Sequence, residues 1–339
     1  MLTTLVALVM VVALSAYVVF GGADFGGGML EVTLPTRALR KRLELTLAPV
    51  WEANHVWLMA RVVGLFVGFP RFNAIGFTRL FYPISLALFA ILIRGTFFTL
   101  RKYDPQPGPA LSRAYSMLFR LSSFMAPLCF GFVISGLLSV HPGGFDEPPV
   151  GYSAFVVYWS PSFNWFGLLV GIFICCLFTY LAAIFFWGEL TKPEEQSLVW
   201  TRAKLFFAAT FLSGAMVLLT GAITGRVPVD DAFAPLQVLA QVVALAATFV
   251  VLLAHRRNHR WMMRWGGGAQ VLAILLGWFQ AQGRTFLRFE QGPLLLDDCS
   301  APPITQIWLL IGIAVVLALV VPLLVFLYRV FDRAQKAEG

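Results

Sequence analysis

Three ionisable residues lie inside or beside long apolar stretches, where a charge is costly unless it is paired or hydrated. Asp24 closes the first stretch, within the glycine-rich segment Gly21–Gly28. Glu52 and His55 open the second stretch, within the segment Ala48–Trp57. Carboxylates and an imidazole can pass protons to one another through water. The sequence therefore predicts that Asp24, Glu52 and His55 belong to a proton path.

The second apolar stretch has the features of a helix start. Pro49 suits the first turn, where its missing N–H is not needed. Glu52 then lies in that turn, near the positive end of the helix dipole. Glu52 and His55 are three residues apart and share a helix face. Arg61 falls about 180° around the helix from Glu52 and cannot pair with it there, whereas Arg94 lies in the third stretch.

Each of these residues also has a structural interpretation. Asp24 can cap a chain turn in a glycine-rich segment, and Glu52 can be an ordinary carboxylate at a helix start. Arg94 can extend to the membrane surface, and His55 can be a packed or hydrogen-bonding histidine. At this point proton transfer and these structural roles are both open.

The elements that position these residues are predicted to be membrane-spanning helices. Of the 339 residues, 59% are apolar and only 12% are charged, and the mean hydropathy is +0.80. Soluble domains carry about 25% charged residues. Because the apolar stretches are continuous and do not alternate, helices are favoured over barrel strands. We predict an all-α integral membrane protein, with residues 1–339 forming one polytopic membrane domain.

A span needs about 20 mostly apolar residues, and nine stretches meet this requirement. The first is predicted to be a span, not a cleaved signal peptide, because no Lys or Arg precedes it. The connections between spans are predicted to be loops without room for a folded domain. The nine predicted spans are 2–22, 49–69, 80–100, 116–139, 163–187, 203–224, 234–254, 266–283 and 304–328.

The distribution of basic residues predicts the orientation. With the N-terminus outside, the inside segments hold 18 Lys and Arg residues and the outside segments hold five. Cytoplasmic segments carry the excess of Lys and Arg in membrane proteins, so we predict N-out/C-in. The net charge of +8 is then a topology signal, and nucleic acid is not an expected partner.

The segment 36–49 has apolar residues at helical spacing beside a basic cluster. Leu39, Leu43 and Leu47 recur every four residues. This pattern is typical of a short helix lying on an anionic membrane surface. A basic loop that only determines topology is an equally good interpretation, and both stay open.

Ligands for a metal or a haem are sparse. The four cysteines form no C-x-x-C pair, and His141, His255 and His259 fall in loops or at span ends. A haem within the membrane usually needs an axial ligand deep in a span. We therefore expect no metal, no haem and no complete active site in this chain.

Two motifs resemble a known family. They are Gly22-Ala23-Asp24-Phe25-Gly26-Gly27-Gly28 and Ala48-Pro49-Val50-Trp51-Glu52-Ala53-Asn54-His55-Val56-Trp57. Together they resemble subunit II of the cytochrome bd quinol oxidases. The resemblance continues through Phe69-Pro70, Arg94, Leu219-Thr220-Gly221 and Ala301-Pro302-Pro303 and covers essentially the whole chain.

The resemblance implies a fold of two four-helix bundles plus one peripheral helix, in the bacterial cytoplasmic membrane. It implies a homologous partner, subunit I, which carries two b-type haems and one d-type haem and oxidises quinol while reducing dioxygen to water. The resemblance also implies lipids and a small single-span subunit as further partners of the complex. Asp24 and Glu52 match the acidic positions of the family's proton path, with Glu52 in place of a common Asp. Gly21 stands where many members have another acid.

Two other functions remain open. A secondary transporter also places acidic residues near glycine-rich, interrupted helices, although here the ionisable residues cluster at one membrane face. A purely structural subunit with no part in proton transfer is the other alternative.

Overall fold

The computed structural model describes residues 1–104, 108–145, 150–227 and 234–337. These residues form ten α-helices, one turn of π-helix at Phe155–Trp159, one 3-10 turn at Asp297–Cys299 and three short strands. The helices are α1 (Leu2–Glu31), α2 (Arg37–Gly68), α3 (Pro70–Arg79), α4 (Phe81–Tyr103), α5 (Pro109–Leu138), α6 (Trp165–Trp187), α7 (Pro193–Ile223), α8 (Pro235–Arg256), α9 (Arg260–Gln282) and α10 (Pro303–Ala337). The strands are β1 (Val140–His141), β2 (Thr285–Phe289) and β3 (Gly292–Leu295).

Within the described residues, seven helices are long and apolar enough to cross a membrane, or eight if α2 and α3 count as one bent span. The prediction of a multi-span helical membrane protein is thus confirmed, while the number nine is not reached. The predicted span 266–283 lies in α9, which is helical but is not one of these helices.

The second predicted span is interrupted at its end. The part of α2 from Asn54 to Gly68 bends by 110° into α3. Phe69, at the break, has φ −135° and ψ 63°, and Pro70 is the first residue of α3. A proline disfavours helical geometry in the residue before it and fits the first position of a new helix. The Phe69-Pro70 pair therefore explains the bend.

A small sheet occupies two of the connections that were expected to be loops. β1 pairs with β2 in parallel, with Val140 opposite Arg288, and β2 pairs with β3 antiparallel. Leu287 and Phe289 are buried while Arg288 between them is partly exposed, as expected for a strand with one covered face. The fold is therefore mostly helical, as predicted, and the sheet is a small addition within two of the connections.

Close helix approaches depend on glycine at two contacts. A Cβ on Gly26 of α1 would collide with the backbone carbonyl of Phe178 on α6, and one on Gly131 of α5 would collide with the backbone of Gly171 on α6. Helix α6 thus packs tightly against both α1 and α5, and most of its residues are buried. The glycine-rich segment of α1 stays helical throughout.

The basic segment 36–49 is part of α2, whose start is capped by Thr36: its hydroxyl accepts a hydrogen bond from the Leu39 N–H at 3.2 Å. Leu39 and Leu43 are only 3% and 2% exposed and pack in the core with residues such as Trp187. The segment is therefore helical and the alternative of a basic loop was wrong. Leu39 and Leu43 of the predicted surface helix are covered by protein, whereas the Leu47 side chain lies outside the described residues.

Candidate functional site

Asp24 lies inside the bundle and is paired with Arg94. Arg94 Nη2 donates to Asp24 Oδ1 at 2.6 Å and to the Asp24 carbonyl at 2.9 Å, while Arg94 Nε donates to Ser123 Oγ at 3.1 Å. The side chains of Asp24 and Arg94 are 2% and 3% exposed. The interpretation that Arg94 extends to the membrane surface was therefore wrong. α1, α4 and α5 each supply one residue of this buried group.

The surroundings of Arg94 compensate its charge in an apolar interior. Its guanidinium lies 4.8 Å from the ring centre of Phe25 and 5.2 Å from that of Phe119, so aromatic faces add to the attraction of the carboxylate. Asp24 Oδ2 has no hydrogen bond of 3.5 Å or less in the described part of the chain, and the Asn54 side chain is its polar neighbour. Oδ1 of Asp24 thus binds the Arg94 guanidinium, and Oδ2 can accept a further hydrogen bond.

A second ionic group lies nearer the helix ends. Glu31, at the end of α1, accepts from Arg101 Nη1 at 2.9 Å and from Arg120 Nε at 3.2 Å. Arg101 Nη2 also donates to Glu44 of α2 at 3.1 Å. This group is more open than the first, because the Arg120 side chain is 31% exposed and that of Glu44 is 17% exposed. Neither Glu31 nor Glu44 was predicted from the sequence as a site residue.

The two ionic groups follow the same helix faces. Glu31 is seven residues after Asp24 on α1, and Arg101 is seven residues after Arg94 on α4. Seven residues are two helical turns, or about 10 Å along the axis. Because the two pairs follow each other in the same order on both helices, α1 and α4 run parallel here. We call the set of Asp24, Arg94, Ser123, Glu31, Arg101, Glu44 and Arg120 the polar ladder. It leads from the half-exposed ends of the helices into the buried interior.

His55 makes no hydrogen bond with the polar ladder among the described residues, although it interacts electrostatically with Asp24. His55 is exposed, and its hydrogen bond and ring contact in the described residues are both with Trp51: Nδ1 lies 2.9 Å from the Trp51 carbonyl and so carries the proton. His55 and Trp51 line a groove of about 510 Å³ between α2 and α4. Glu52 lies in the interior of α2, because that helix begins at Arg37. The prediction that Pro49 and Glu52 form the first turn of a helix was therefore wrong. The side chain of Glu52 is outside the described residues. Asn54 of α2 faces α1, because its side chain lies against Gly21 and close to the Asp24 carboxylate.

The other histidines occupy structural positions. His141 Nε2 lies 2.9 Å from the Gly136 carbonyl, and burial lowers the pKa of His141 to about 4. His255 stacks on Trp200 with ring centres 3.9 Å apart, and the His259 side chain caps the start of α9. Among the described residues, no group of three or more His, Cys, Asp or Glu side chains could hold a metal ion.

Comparisons with known proteins agree with one another. The family model described as cytochrome bd terminal oxidase subunit II matches residues 2–331. The chain is 28% identical over 166 residues to the cytochrome bd-I ubiquinol oxidase subunit 2 of Escherichia coli strain K12, covering 48% of this chain and 42% of that protein. It is 35% identical over 81 residues to the cytochrome bd ubiquinol oxidase subunit 2 of Bacillus subtilis strain 168, covering 24% of each. These alignments span less than half the length of either relative.

A solved structure has the same fold. A chain of the bd oxidase from Geobacillus thermodenitrificans superposes with a TM-score of 0.75, covering 97% of this chain and 98% of that one. The two sequences are 20% identical. At this identity the superposition shows only that the fold is shared. The assignment to a family rests on the family model, which matches residues 2–331.

Proposed function

Because the chain belongs to the cytochrome bd terminal oxidase subunit II family, we propose that it is the non-haem subunit of a bd-type oxidase that oxidises quinol and reduces dioxygen to water. The chain is a multi-pass bacterial membrane protein. The family predicted from its sequence motifs is confirmed. The activity itself is proposed for the complex, and no complete active site is assigned to this chain.

The proposed partner is a haem-bearing subunit I with two b-type haems and one d-type haem. Support for a protein partner comes from the groove between α2 and α4, where Leu88 and Leu92 are 49% and 66% exposed beside Gly95. Small residues on such a face allow close helix packing in a membrane. Quinol, lipids and a small single-span subunit complete the proposed set of partners.

We propose nine spans in the N-out/C-in orientation, arranged as two four-helix bundles with α10 at the periphery. The contacts support this arrangement, because α1 packs on α2 and α5, α4 packs on α5, α6 packs on α7 and α9, and α8 packs on α9. Helix α10 contacts α2 and, less extensively, α1. The excess of basic residues in the segments at the Glu31 end supports a cytoplasmic location for that end.

The polar ladder is the observation that carries the proposed role in proton supply. Reduction of dioxygen to water consumes protons, and hydrocarbon does not conduct them, so titratable groups and water have to supply them. In our proposal, protons enter at the cytoplasmic helix ends near Glu31 and Glu44 and pass inward beside Asp24. Glu52 and His55 of α2 belong to the same entry region. The unpartnered oxygen of Asp24 supports this role, because it can accept a hydrogen bond from water.

A purely structural role is the second candidate, and a specific observation favours it. The buried Asp24–Arg94 pair joins α1 to α4 and also holds Ser123 of α5. Such a pair can serve helix assembly without any proton transfer. The secondary transporter stays the more distant alternative, since the described ionic groups of the polar ladder lie toward one end of the bundle.

Isolation of the protein in mild detergent tests the proposed function. We expect the chain to copurify in a fixed ratio with a larger haem-bearing subunit, and the preparation to show b-type and d-type haem absorption bands and to consume oxygen with quinol. A colourless protein that purifies alone and transports a solute would contradict the proposal.

A further inference from the structure

A cavity of about 410 Å³ lies at the end of the bundle opposite Glu31. Residues from four places line it: the end of α5 with β1, the segment before α6, the segment after α7, and β2. Its volume is within the range of small-molecule sites, about 300–1,000 Å³. The cavity is separate from the polar ladder and has no part in the function proposed above.

Two arginines line this cavity without a carboxylate partner among the described residues. Arg226 is held in place because its Nη1 donates to Asn164 Oδ1 at 3.1 Å and its guanidinium lies 5.1 Å from the ring centre of Phe166. Its remaining N–H groups are available to a ligand. Arg288 of β2 makes no side-chain hydrogen bond or ion pair with the described part of the chain. The cavity therefore offers two cationic donors.

The one acidic residue in the described lining is already occupied. Glu290 Oε2 accepts from the Gly143 N–H at 2.9 Å, and the Tyr152 hydroxyl donates to the same oxygen at 2.9 Å. These hydrogen bonds hold the pKa of Glu290 below its usual value, so the carboxylate is charged and satisfied by the loop. Among the described lining residues, two arginines face one carboxylate, so the balance of charge is positive and favours an anion.

The rim of the cavity is apolar and exposed. Val140 is 59% exposed and Val156 is 38% exposed, and both line the cavity. Ile223, the last residue of α7, is 76% exposed immediately before the cavity-lining residue Thr224. A free inorganic anion has no apolar surface to bury against such a rim, whereas an acyl chain gains free energy by burying its apolar surface there.

We propose that this cavity binds the phosphodiester headgroup of a glycerophospholipid. Arg226 and Arg288 donate to the phosphate oxygens, and the acyl chains lie along the exposed apolar residues at the ends of α5 and α7. Guanidinium groups match phosphate geometry through paired N–H donors, which makes arginine well suited to this role. The site is a lipid site on the side of the membrane opposite the polar ladder.

Native mass spectrometry of the delipidated protein, in whatever complex it is isolated, tests this proposal. The probe is phosphatidylglycerol added in increasing amounts to the wild type and to the Arg288→Gln and Arg226→Gln/Arg288→Gln variants. We expect the wild type to retain one lipid most tightly, and each lost arginine to weaken that binding about tenfold. Arg284→Gln is the matched control, because Arg284 lies at the same end but pairs with Asp297 outside the cavity, at 2.7 Å.

Two results would overturn the proposal. The first is equal retention of the lipid by the wild type and by Arg288→Gln, a variant expected to fold because the Arg288 side chain has no described polar partner. The second is displacement of the bound lipid by millimolar inorganic phosphate, which would make the cavity a site for free anions. Melting curves of each variant establish that weaker retention does not come from unfolding.

Discussion

The buried pair between Asp24 and Arg94 is expected to respond strongly to the loss of one partner. Asp24→Asn keeps the size of the side chain but removes its charge, which leaves Arg94 cationic at 3% exposure. Breaking a buried pair in this way costs about 3–5 kcal/mol, because the remaining charge is uncompensated. The hydrogen bond to Ser123 and the contacts with two aromatic rings do not replace the lost carboxylate.

The exposed pair between Arg284 and Asp297 is a matched control. Its side chains are 54% and 62% exposed, so Asp297→Asn is expected to cost no more than about 1 kcal/mol. Arg94→Met should be as damaging as Asp24→Asn. The double variant Asp24→Asn/Arg94→Met should lose less than the sum of the two, because neither buried charge remains.

Unfolding in mixed micelles of increasing denaturing detergent, followed by circular dichroism, measures these free energies. The comparison uses the four proteins of the cycle and the Asp297→Asn control under one set of conditions. If Asp24→Asn costs no more than Asp297→Asn, the Asp24–Arg94 pair does not hold α1 and α4 together, and the reasoning from burial is wrong.

Three further predictions rest on other parts of the structure. Burial lowers the pKa of His141 from 6.5 to about 4, so the free energy of unfolding is highest above pH 6.5 and falls as the pH drops toward 4. His141 should account for about 3 kcal/mol of this fall, and melting curves of His141→Asn should lack it. Gly26→Ala should destabilise the protein by about 1–3 kcal/mol, because the new methyl group meets the Phe178 carbonyl, while Gly312→Ala, which meets nothing within 4 Å, should be neutral or stabilising in the same assay. Arg101→Gln removes one hydrogen bond each from Glu31 and Glu44 and should lower the free energy of unfolding by about 1.5–3 kcal/mol in the detergent titration. An unchanged free energy would show that the ionic group around Glu31 does not stabilise the fold.

The helices could be predicted from the sequence because each long apolar stretch is a local signal. Asp24 could be singled out for the same reason, since a charge beside an apolar stretch needs a partner. Its partner could not be identified, because Arg94 lies 70 residues away and only packing brings the two together. Glu31 and Glu44 were missed because acidic residues beyond an apolar stretch look like ordinary loop residues, although the seven-residue spacing from Asp24 to Glu31 was a usable signal.

The pairing of the small sheet and the burial of the basic start of α2 could not be predicted from the sequence either. β1 has only two residues, and its partner β2 begins 145 positions later, so no local pattern reveals the pairing. In the segment 36–49, Leu39 and Leu43 have the spacing of a helix with one apolar face. That spacing indicates the apolar face, but it does not distinguish a membrane surface from the core residues that cover it.

The rate of oxygen consumption per haem in the isolated complex tests the proposed proton supply most directly. Glu52→Gln keeps the shape of the side chain and removes its titratable group, whereas Glu52→Asp keeps the carboxylate. Glu194→Gln, at the exposed start of α7, is the control for a glutamate outside the proposed path. We predict that Glu52→Gln slows turnover per haem with haem content unchanged, that Glu52→Asp keeps most of the activity, and that Glu194→Gln is normal. An unchanged rate per haem in Glu52→Gln would remove Glu52 from the proton path and contradict the account.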